Sequence, residues 1–508
     1  MTRRRDEQTF LLVAVLIGIY SGLAVVAFRL AIEWVRLALF GSSLEPPRDR
    51  VLLVPAIAGL VIAALVVRFF PTVRGSGVNQ TKAALYIYDG YISIRTVAGK
   101  FVTSALAIGS GQSLGPEDPS LQVGAGLASA LGRVLTLPRD LRRFIAPVGA
   151  AAGLAAAFNS PITAVLFVIE EVIGRWSAGV LGAVVLSAVA SVVTEQWFLG
   201  DEPLFRVPTY HLVHGAELLA YAALGLIGGA VSLVFVKLVA SLRPRMRALP
   251  PWTWYVQPAV AGLVVGAIGW RFPQVMGAGY EYIDRAMHDE YGWRMLVELS
   301  TLKVVATTAS FVSGTPGGLF APTLFIGAML GGAVCAIERQ IAPGVTGPIG
   351  AYALVGMGTL FAGILRAPIT SVFMIVEVSG NYSIILPVMI SNTIAYLVSR
   401  QFQHHALFDV LARQDGTDLP SMEEERESGV RSVEHVMRPA DGLTLTADEA
   451  MLLADARAAR VYLYPDQSID TALRILRARK LVPVVHRADP QRLVGVVALD
   501  DVVRETRL

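Results

Sequence analysis

The fold is decided by two matching stretches, PITAVLFVIE at residues 161–170 and PITSVFMIVE at residues 368–377. A second matching pair lies upstream, where residues 110–127 share three glycines, a proline, a serine, an alanine and two leucines with residues 313–330. Residue 368 lies 207 positions after residue 161, and residue 313 lies 203 positions after residue 110. Two pairs in the same order at nearly one offset predict two homologous halves, and we expect the halves to be inverted relative to each other.

The composition indicates that most of the chain lies in a membrane. Hydrophobic residues make up 54% of the 508 residues and charged residues only 16%, whereas soluble domains carry about 25% charged residues. These figures exclude a disordered protein and an ordinary soluble protein. The net charge of +3 is too small to indicate a nucleic-acid partner. The single cysteine excludes a disulfide framework within the chain and a multi-cysteine zinc site, and we predict no metal site.

Several apolar runs can span a bilayer, which requires about 20 apolar residues. The first follows an arginine cluster at residues 3–5, which we expect to hold the N-terminus on the cytoplasmic side. The predicted spans cover residues 10–28, 51–67, 176–194, 218–236, 295–312, 349–365 and 384–398. Two shorter runs, at residues 159–170 and 366–377, predict half-helices that end inside the membrane and point at a buried site.

We therefore predict an all-α, multi-pass membrane domain with broken helices over residues 1–412, whose halves cover about residues 10–200 and 215–405. An acidic linker follows at residues 413–429, and residues 430–508 form a small α/β domain. The predicted elements of that domain are a first strand at 461–464, a helix at 468–478, strands at 482–485 and 493–497, and a final helix from Asp500.

Three stretches bounded by glycine or proline each precede a predicted helix. They read RGSGVN at residues 74–79, GPEDP at residues 115–119 and GGLFAP at residues 317–322. Glycine lets backbone N–H groups turn toward a ligand, and the N-terminus of a helix carries about half a positive charge. Glycine and proline also pack or kink membrane helices, so a single stretch is weak evidence. Three together predict an anion site in the membrane.

A carboxylate in the apolar region costs free energy, so its presence usually indicates a function. Glu117 lies beside a predicted helix start, and Glu170 and Glu171 close a half-helix. We interpret Glu170 and Glu377, which occupy matching repeat positions, as structural hydrogen-bond acceptors. Glu171 has no carboxylate counterpart in the second half, where Val378 stands, so we predict that it handles protons.

These stretches resemble the CLC family of chloride channels and chloride/proton exchangers. Five stretches occur in the family's order, and the resemblance covers nearly all of residues 10–412. They are GSG at 75–77, G-x-E-x-P at 115–119, GAAAGLAAAFN at 149–159, the glutamate pair at 170–171 and GGLFAP at 317–322.

The resemblance implies a role for individual residues. Ser76, beside Gly77, resembles the serine whose hydroxyl donates to the central anion, and the amides of Leu319 and Phe320 resemble its other donors. Glu117 resembles the gating glutamate, whose carboxylate competes with the anion and receives protons. Glu171 resembles the inner proton acceptor of the exchangers, which the channels lack.

The sequence also departs from the family pattern. The usual Gly-Arg-Glu-Gly-Pro is Gly-Pro-Glu-Asp-Pro here, which places Asp118 beside the gate, and the usual Ile-Pro after Gly-Ser-Gly is Val78-Asn79. The inner tyrosine that contacts the central anion aligns with Phe408, which has no hydroxyl group. We therefore expect weaker anion binding at the central site and looser coupling to protons.

The tail from about residue 461 to 506 resembles a CBS motif, with a partial second copy at 433–437. Asp501 matches a position that often holds a nucleotide ribose, but the usual threonine is Ala498. The resemblance leaves two alternatives for the tail, an adenine-nucleotide site and a domain that packs in a dimer.

We predict that the protein exchanges chloride for protons across a bilayer as a homodimer with one pathway in each subunit. We place it in a prokaryotic plasma membrane, with both termini cytoplasmic. Three alternatives stay open: a passive anion channel or weakly coupled carrier for another anion, an enzyme that uses Glu117 and Asp118 as a carboxylate pair, and a nucleotide sensor anchored by the membrane domain. No nucleophile or metal ligand accompanies the pair, so we expect no enzyme activity.

Overall fold

The computed structural model describes residues 2–506, with several short segments excepted. The excepted residues are 43–46, 136, 175–177, 202–203, 206–213, 344–345, 418, 421–431, 441–442, 444–445, 460, 466, 468 and 487–488. The chain divides into two compact units, Met1–Leu419 and Pro420–Leu508. Most of the predicted acidic linker, the start of the predicted span at 176–194 and residues 466 and 468 of the predicted CBS motif lie outside the described residues.

The first unit is helical throughout its described part. Its first half consists of α1 (Thr2–Phe40), α2 (Arg48–Arg68), α3 (Gly77–Tyr86), α4 (Ile94–Gly109), α5 (Glu117–Val134), α6 (Arg139–Arg142), α7 (Ile145–Phe158), α8 (Pro161–Phe167), a π-helical continuation of α8 (Val168–Ile173) and α9 (Ala178–Leu199). Short 3₁₀ turns lie at Pro71–Val73, Pro251–Tyr255, Pro273–Val275 and Tyr382–Ile384.

The second half repeats this order. It consists of α10 (Glu217–Arg247), α11 (Gln257–Arg271), α12 (Tyr280–Met287), α13 (Trp293–Val312), α14 (Phe320–Ile341), α15 (Ile349–Leu365), α16 (Pro368–Ser379), α17 (Ile385–Phe402) and α18 (Leu407–Gln414). The packing repeats as well: α5 lies on α7 and α1 on α9 in the first half, and α14 lies on α15 and α10 on α17 in the second. The predicted homologous halves are confirmed by this matching of helices.

Equivalent residues of the two halves make equivalent contacts. The ammonium group of Lys100 donates to the carbonyl oxygens of Val73 and Gly75 at 3.3 and 3.0 Å. The ammonium group of Lys303, 203 positions later, donates to the carbonyl oxygens of residues 275 and 277 at 3.0 and 2.8 Å. Each lysine thus ties a membrane helix to the segment that precedes it in its own half.

Within the described residues, seven helices are long and apolar enough to cross a bilayer. They are Gln8–Phe40, Arg48–Arg68, Val180–Leu199, Glu217–Arg247, Trp293–Val312, Phe320–Ile341 and the stretch Tyr382–Gln414, whose main helix is α17. Two differences from the predicted spans follow from helix length. Ile349–Leu365 is helical but has only 17 residues, and Phe320–Ile341, which we did not predict as a span, has 22.

Large apolar side chains cover the outside of these helices. Leu12, Trp34, Ile57, Trp197 and Leu219 each expose more than half of their surface. A soluble monomer seldom exposes so much contiguous apolar surface, whereas lipid covers it without cost. The chain is a membrane protein.

The second unit holds a three-stranded antiparallel sheet in the order β1-β3-β2, formed by β1 (Arg438–Pro439), β2 (Leu481–His486) and β3 (Asp489–Ala498). Its helices are Val433–Val436, Ala447–Ala458, Ile469–Leu476 and Leu499–Thr506. The predicted first strand at 461–464 is wrong, because only Leu463 bridges to Val484 of β2. The chain then reaches Pro465, which has no N–H to extend a ladder.

Candidate anion and proton site

Two glycine-rich segments from opposite halves meet at the centre of the first unit. The N–H of Gly115 donates to the carbonyl oxygen of Gly318, and the N–H of Gly318 donates to that of Gly115, both at 2.8 Å. The two residues are equivalent in the repeat, so this reciprocal pairing is the contact that a local two-fold axis produces. It places the start of α5 beside the start of α14. Both helix starts carry partial positive charge and N–H groups without intrahelical acceptors.

Ser76 caps the third of these helices, α3, and lies against α5. Its hydroxyl accepts from the N–H of Val78 at 3.1 Å and donates to Asp118 at 3.2 Å. The two oxygens of Asp118 also accept from the N–H groups of Gly77 and Val78, both at 3.0 Å. The carboxylate of Asp118 therefore occupies the N-terminus of α3.

Glu117, the first residue of α5, turns toward α14 instead. Its side chain is fully buried, and one carboxylate oxygen accepts from the N–H of Ala321 at 3.3 Å. The other oxygen is buried without a hydrogen-bond partner among the described residues. Glu117 and its neighbour Asp118 thus contact two different helix starts.

Leu319 and Phe320 begin α14 and are both buried. The ring of Phe320 lies in an aromatic cluster, 5.1 Å from the ring centre of Phe167 and 6.0 Å from that of Phe408. The backbone carbonyl of Phe408 accepts from the side-chain amide of Asn79 at 2.8 Å, which ties α18 to α3. The structure brings all six predicted anion-site positions to the starts of α3, α5, α14 and α18.

A second group of charges lies further along α3. The ammonium group of Lys82 donates to the carboxylate of Glu171 at 3.0 Å and to that of Asp409 at 3.4 Å. The Lys82 side chain is only 1% exposed, and the two carboxylates are about 10% exposed. Sequence reasoning singled out Glu171 but missed Lys82 and Asp409. Charged residues inside apolar segments were the signal that could have found them.

Glu170 and Glu377 cap each other's half-helices. Glu377 accepts from the N–H groups of Ile162 and Thr163 at 2.9 and 2.7 Å, at the start of α8. Glu170 accepts from the N–H groups of Ile369 and Thr370 at 3.4 and 2.8 Å, at the start of α16. The structural interpretation of this pair is confirmed, because each carboxylate satisfies N–H groups that no helix carbonyl can reach.

A cavity opens beside Ser76 and Asn79 and reaches the protein surface. Its lining includes the guanidinium groups of Arg74 and Arg247 and the ring of Trp254. Arg74 stacks on that ring at 4.6 Å. The lining also includes Asp415, whose carboxylate pairs with Arg247, so the cavity that leads to the N-terminus of α3 carries both signs of charge.

Comparison with known proteins agrees with this architecture. A family model described as "voltage gated chloride channel" matches residues 58–400. The chain belongs to the voltage-gated chloride channel family. A CBS domain model matches residues 456–507, so the resemblances found in the sequence are confirmed for both parts of the chain.

Bacterial members of the voltage-gated chloride channel family are similar over most of their length. A "putative chloride channel protein ClcB-like" from Ralstonia nicotianae is 33% identical over 401 residues, which is 77% of this chain and 93% of that protein. An "H(+)/Cl(-) exchange transporter ClcA" from Vibrio campbellii is 31% identical over 440 residues, 81% of this chain and 92% of that protein.

Solved structures of the family share the fold. The crystal structure of a slow cyanobacterial Cl⁻/H⁺ antiporter superposes with a TM-score of 0.73 at 23% identity and covers 80% of this chain and 97% of its own. A eukaryotic CLC transporter gives a TM-score of 0.69 at 22% identity and covers 98% of this chain and 88% of its own. The predicted fold class is confirmed.

In the CBS domain, Asp501 makes contacts within the domain. Its carboxylate accepts from the N–H of Ala498 at 2.8 Å and lies 3.3 Å from the guanidinium group of Arg438. The contact with Ala498 caps the last helix. A ribose contact by Asp501, and with it an adenine-nucleotide site, stays a prediction.

Proposed function

We propose that this protein exchanges a small anion for protons across the membrane, with chloride as the first candidate. The observation that carries the proposal is the position of the buried carboxylate of Glu117. One of its oxygens accepts from the N–H of Ala321, and the other has no hydrogen-bond partner in the part of the chain that the structure describes. A carboxylate in the place of an anion can be released by a proton, because the neutral acid loses the attraction of the helix N-terminus. An anion can then occupy the vacated N–H groups.

Glu171 takes the second proton-handling role in this proposal. It lies in a buried cluster of charges with Lys82 and Asp409, and Lys82 follows Ser76 by six positions along α3. In this proposal, Glu171 exchanges protons with one side of the membrane and Glu117 with the other. Protons that pass between these two carboxylates would follow a route separate from that of the anion. The exchange named for the Vibrio campbellii relative supports this assignment.

The alternative is a passive or weakly coupled anion pathway. Phe408 favours it, since its ring offers no hydroxyl donor where the family resemblance expects one. The buried charge cluster around Glu171 favours exchange, because a passive pathway has no need of a buried proton acceptor that is costly to keep.

The experiment is a flux measurement on the full chain in liposomes with an imposed chloride gradient. We expect wild type to drive protons uphill, and we expect Glu117→Gln and Glu171→Gln to abolish proton movement. The matched control is Glu217→Gln, which changes a buried carboxylate that accepts from Tyr221. Chloride flux without proton movement in wild type would refute exchange and leave the passive pathway.

A further inference from the structure

We propose that Asp118 is a built-in competitor for the transported anion and sets the affinity of the site at the start of α3. This inference rests on the proposed function, since it takes the anion to pass the helix starts described above. The family resemblance assigns competition to Glu117 alone, and Asp118 stands at a position where the family pattern has glycine.

The contacts of Asp118 are those that a bound anion would make. Its two oxygens accept from the amides of Gly77 and Val78 at 3.0 Å and from the hydroxyl of Ser76 at 3.2 Å. Asp118 is only 2% exposed. The ammonium group of Lys100 lies 4.0 Å from the carboxylate oxygen that accepts from Gly77, and it adds a positive charge beside the carboxylate. Charge-assisted bonds to backbone N–H groups are among the stronger hydrogen bonds in proteins.

The close approach of α3 to α5 makes these contacts possible. A Cβ atom at Gly77 would lie 2.7 Å from the Cβ of Gln122 and 2.8 Å from the backbone oxygen of Asp118. Only glycine allows the first turn of α3 to lie this near to α5. The amides at the start of α3 are therefore held against the Asp118 carboxylate.

Two neighbouring carboxylates thus accept hydrogen bonds from two different helix starts. Glu117 accepts from an amide of α14, and Asp118 accepts from the amides and the hydroxyl at the start of α3. An anion that binds between the two helix starts must displace both carboxylates. Release of Glu117 alone frees only the N–H group at the start of α14. With Phe408 offering no hydroxyl, the anion has no compensating donor there. Wild type should therefore bind chloride weakly, and removal of the Asp118 charge should tighten binding.

The test is calorimetric titration of chloride into the purified full chain. We expect Asp118→Asn to lower the dissociation constant at least about 10-fold, which corresponds to about 1.4 kcal/mol. Asp118→Gly should act in the same direction, and Glu217→Gln should leave the affinity unchanged. Equal or weaker binding by well-folded Asp118→Asn and Asp118→Gly would overturn the proposal and make Asp118 a structural cap.

A crystallographic measurement keeps the test independent of how the variants fold. Crystals of wild type grown in bromide should show no anomalous peak at the amides of Gly77 and Val78, and a peak there beside an undisplaced Asp118 carboxylate would overturn the proposal. The liposome flux of wild type reports on the proposed function separately. Proton-coupled flux with no tightening by Asp118→Asn refutes only the role of Asp118, and tightening without any anion flux refutes only the transport.

Discussion

The ammonium group of Lys82 lies 3.0 Å from the carboxylate of Glu171, and both side chains are buried. The positive charge therefore compensates two carboxylates, since Asp409 lies 3.4 Å from the same ammonium group. The cluster therefore differs from an isolated buried carboxylate, because the ammonium group offsets the repulsion between two like charges.

Replacement of Lys82 by methionine should destabilise the membrane domain. Two carboxylates would remain buried without their cation, and breaking a buried ion pair costs about 3 to 5 kcal/mol. Thermal unfolding in detergent would measure the loss, with Lys82→Arg as the control that keeps the charge. An unchanged melting temperature for Lys82→Met would show that water already screens the cluster.

Replacement of Phe408 by tyrosine should tighten anion binding. The new hydroxyl would enter the aromatic cluster beside Phe320 and supply one hydrogen bond, worth about 1 kcal/mol or several-fold in affinity. Chloride titration measures the change. The control is Phe205→Tyr, which adds the same hydroxyl to a buried ring that packs against Tyr280. A gain in both variants would argue against a specific contact with the anion.

Replacement of Glu170 or Glu377 by glutamine should lower stability without removing anion binding. A glutamine side chain keeps one acceptor oxygen but turns an amide donor toward a helix N–H, and a buried donor left unsatisfied costs about 1 to 3 kcal/mol. Thermal unfolding and chloride titration on the same samples test both parts. Loss of binding at normal stability would assign these carboxylates to the anion site instead.

The stability of one helix in the CBS domain, Ala447–Ala458, should depend on pH. The backbone N–H of Thr446 and the guanidinium group of Arg438 hold the pKa of Glu449 below its usual value. A carboxyl group with a lowered pKa stabilises the folded state above its unfolded pKa, and this stability is lost as the pH falls through the folded pKa.

Hydrogen exchange of the helix Ala447–Ala458, corrected for intrinsic rates, measures that effect in the full chain. Protection should decrease as the pH falls from neutral into the acidic range. Glu449→Gln should show lower protection at neutral pH and little further decrease. Equal pH profiles for the two proteins would exclude Glu449 as the group responsible.

Much of the site could be predicted because repeats and motifs are local in sequence. The sequence places Glu117 at a helix start and Glu170, Glu171 and Glu377 at the ends of half-helices, and it predicts a structural role for Glu170 and Glu377. That each of these two caps a half-helix of the other half could be seen only in the structure. The contacts of Asp118 could not be predicted, since they depend on how closely α3 approaches α5. Lys82 and Asp409 are 327 positions apart and meet only through the tertiary fold.

The lengths of the membrane helices were the second feature that the sequence predicted incompletely. Apolar composition alone predicted a span at 349–365 and omitted one at 320–341, because glycine and proline motifs mark both helix starts and helix interruptions. Residues 461–464 were predicted as a strand because β-branched and aromatic residues fit a strand. The structure has a single bridge at Leu463, because the following proline ends the ladder after one residue.

The reciprocal contacts between the halves make each half dependent on the other. Glu170 completes a helix of the second half, Glu377 completes one of the first, and Gly115 pairs with its own equivalent, Gly318. Without the other half, each of these N–H groups would lack its acceptor, so neither half satisfies its own backbone alone. The two halves differ just after these caps, where Glu171 stands in one half and Val378 in the other.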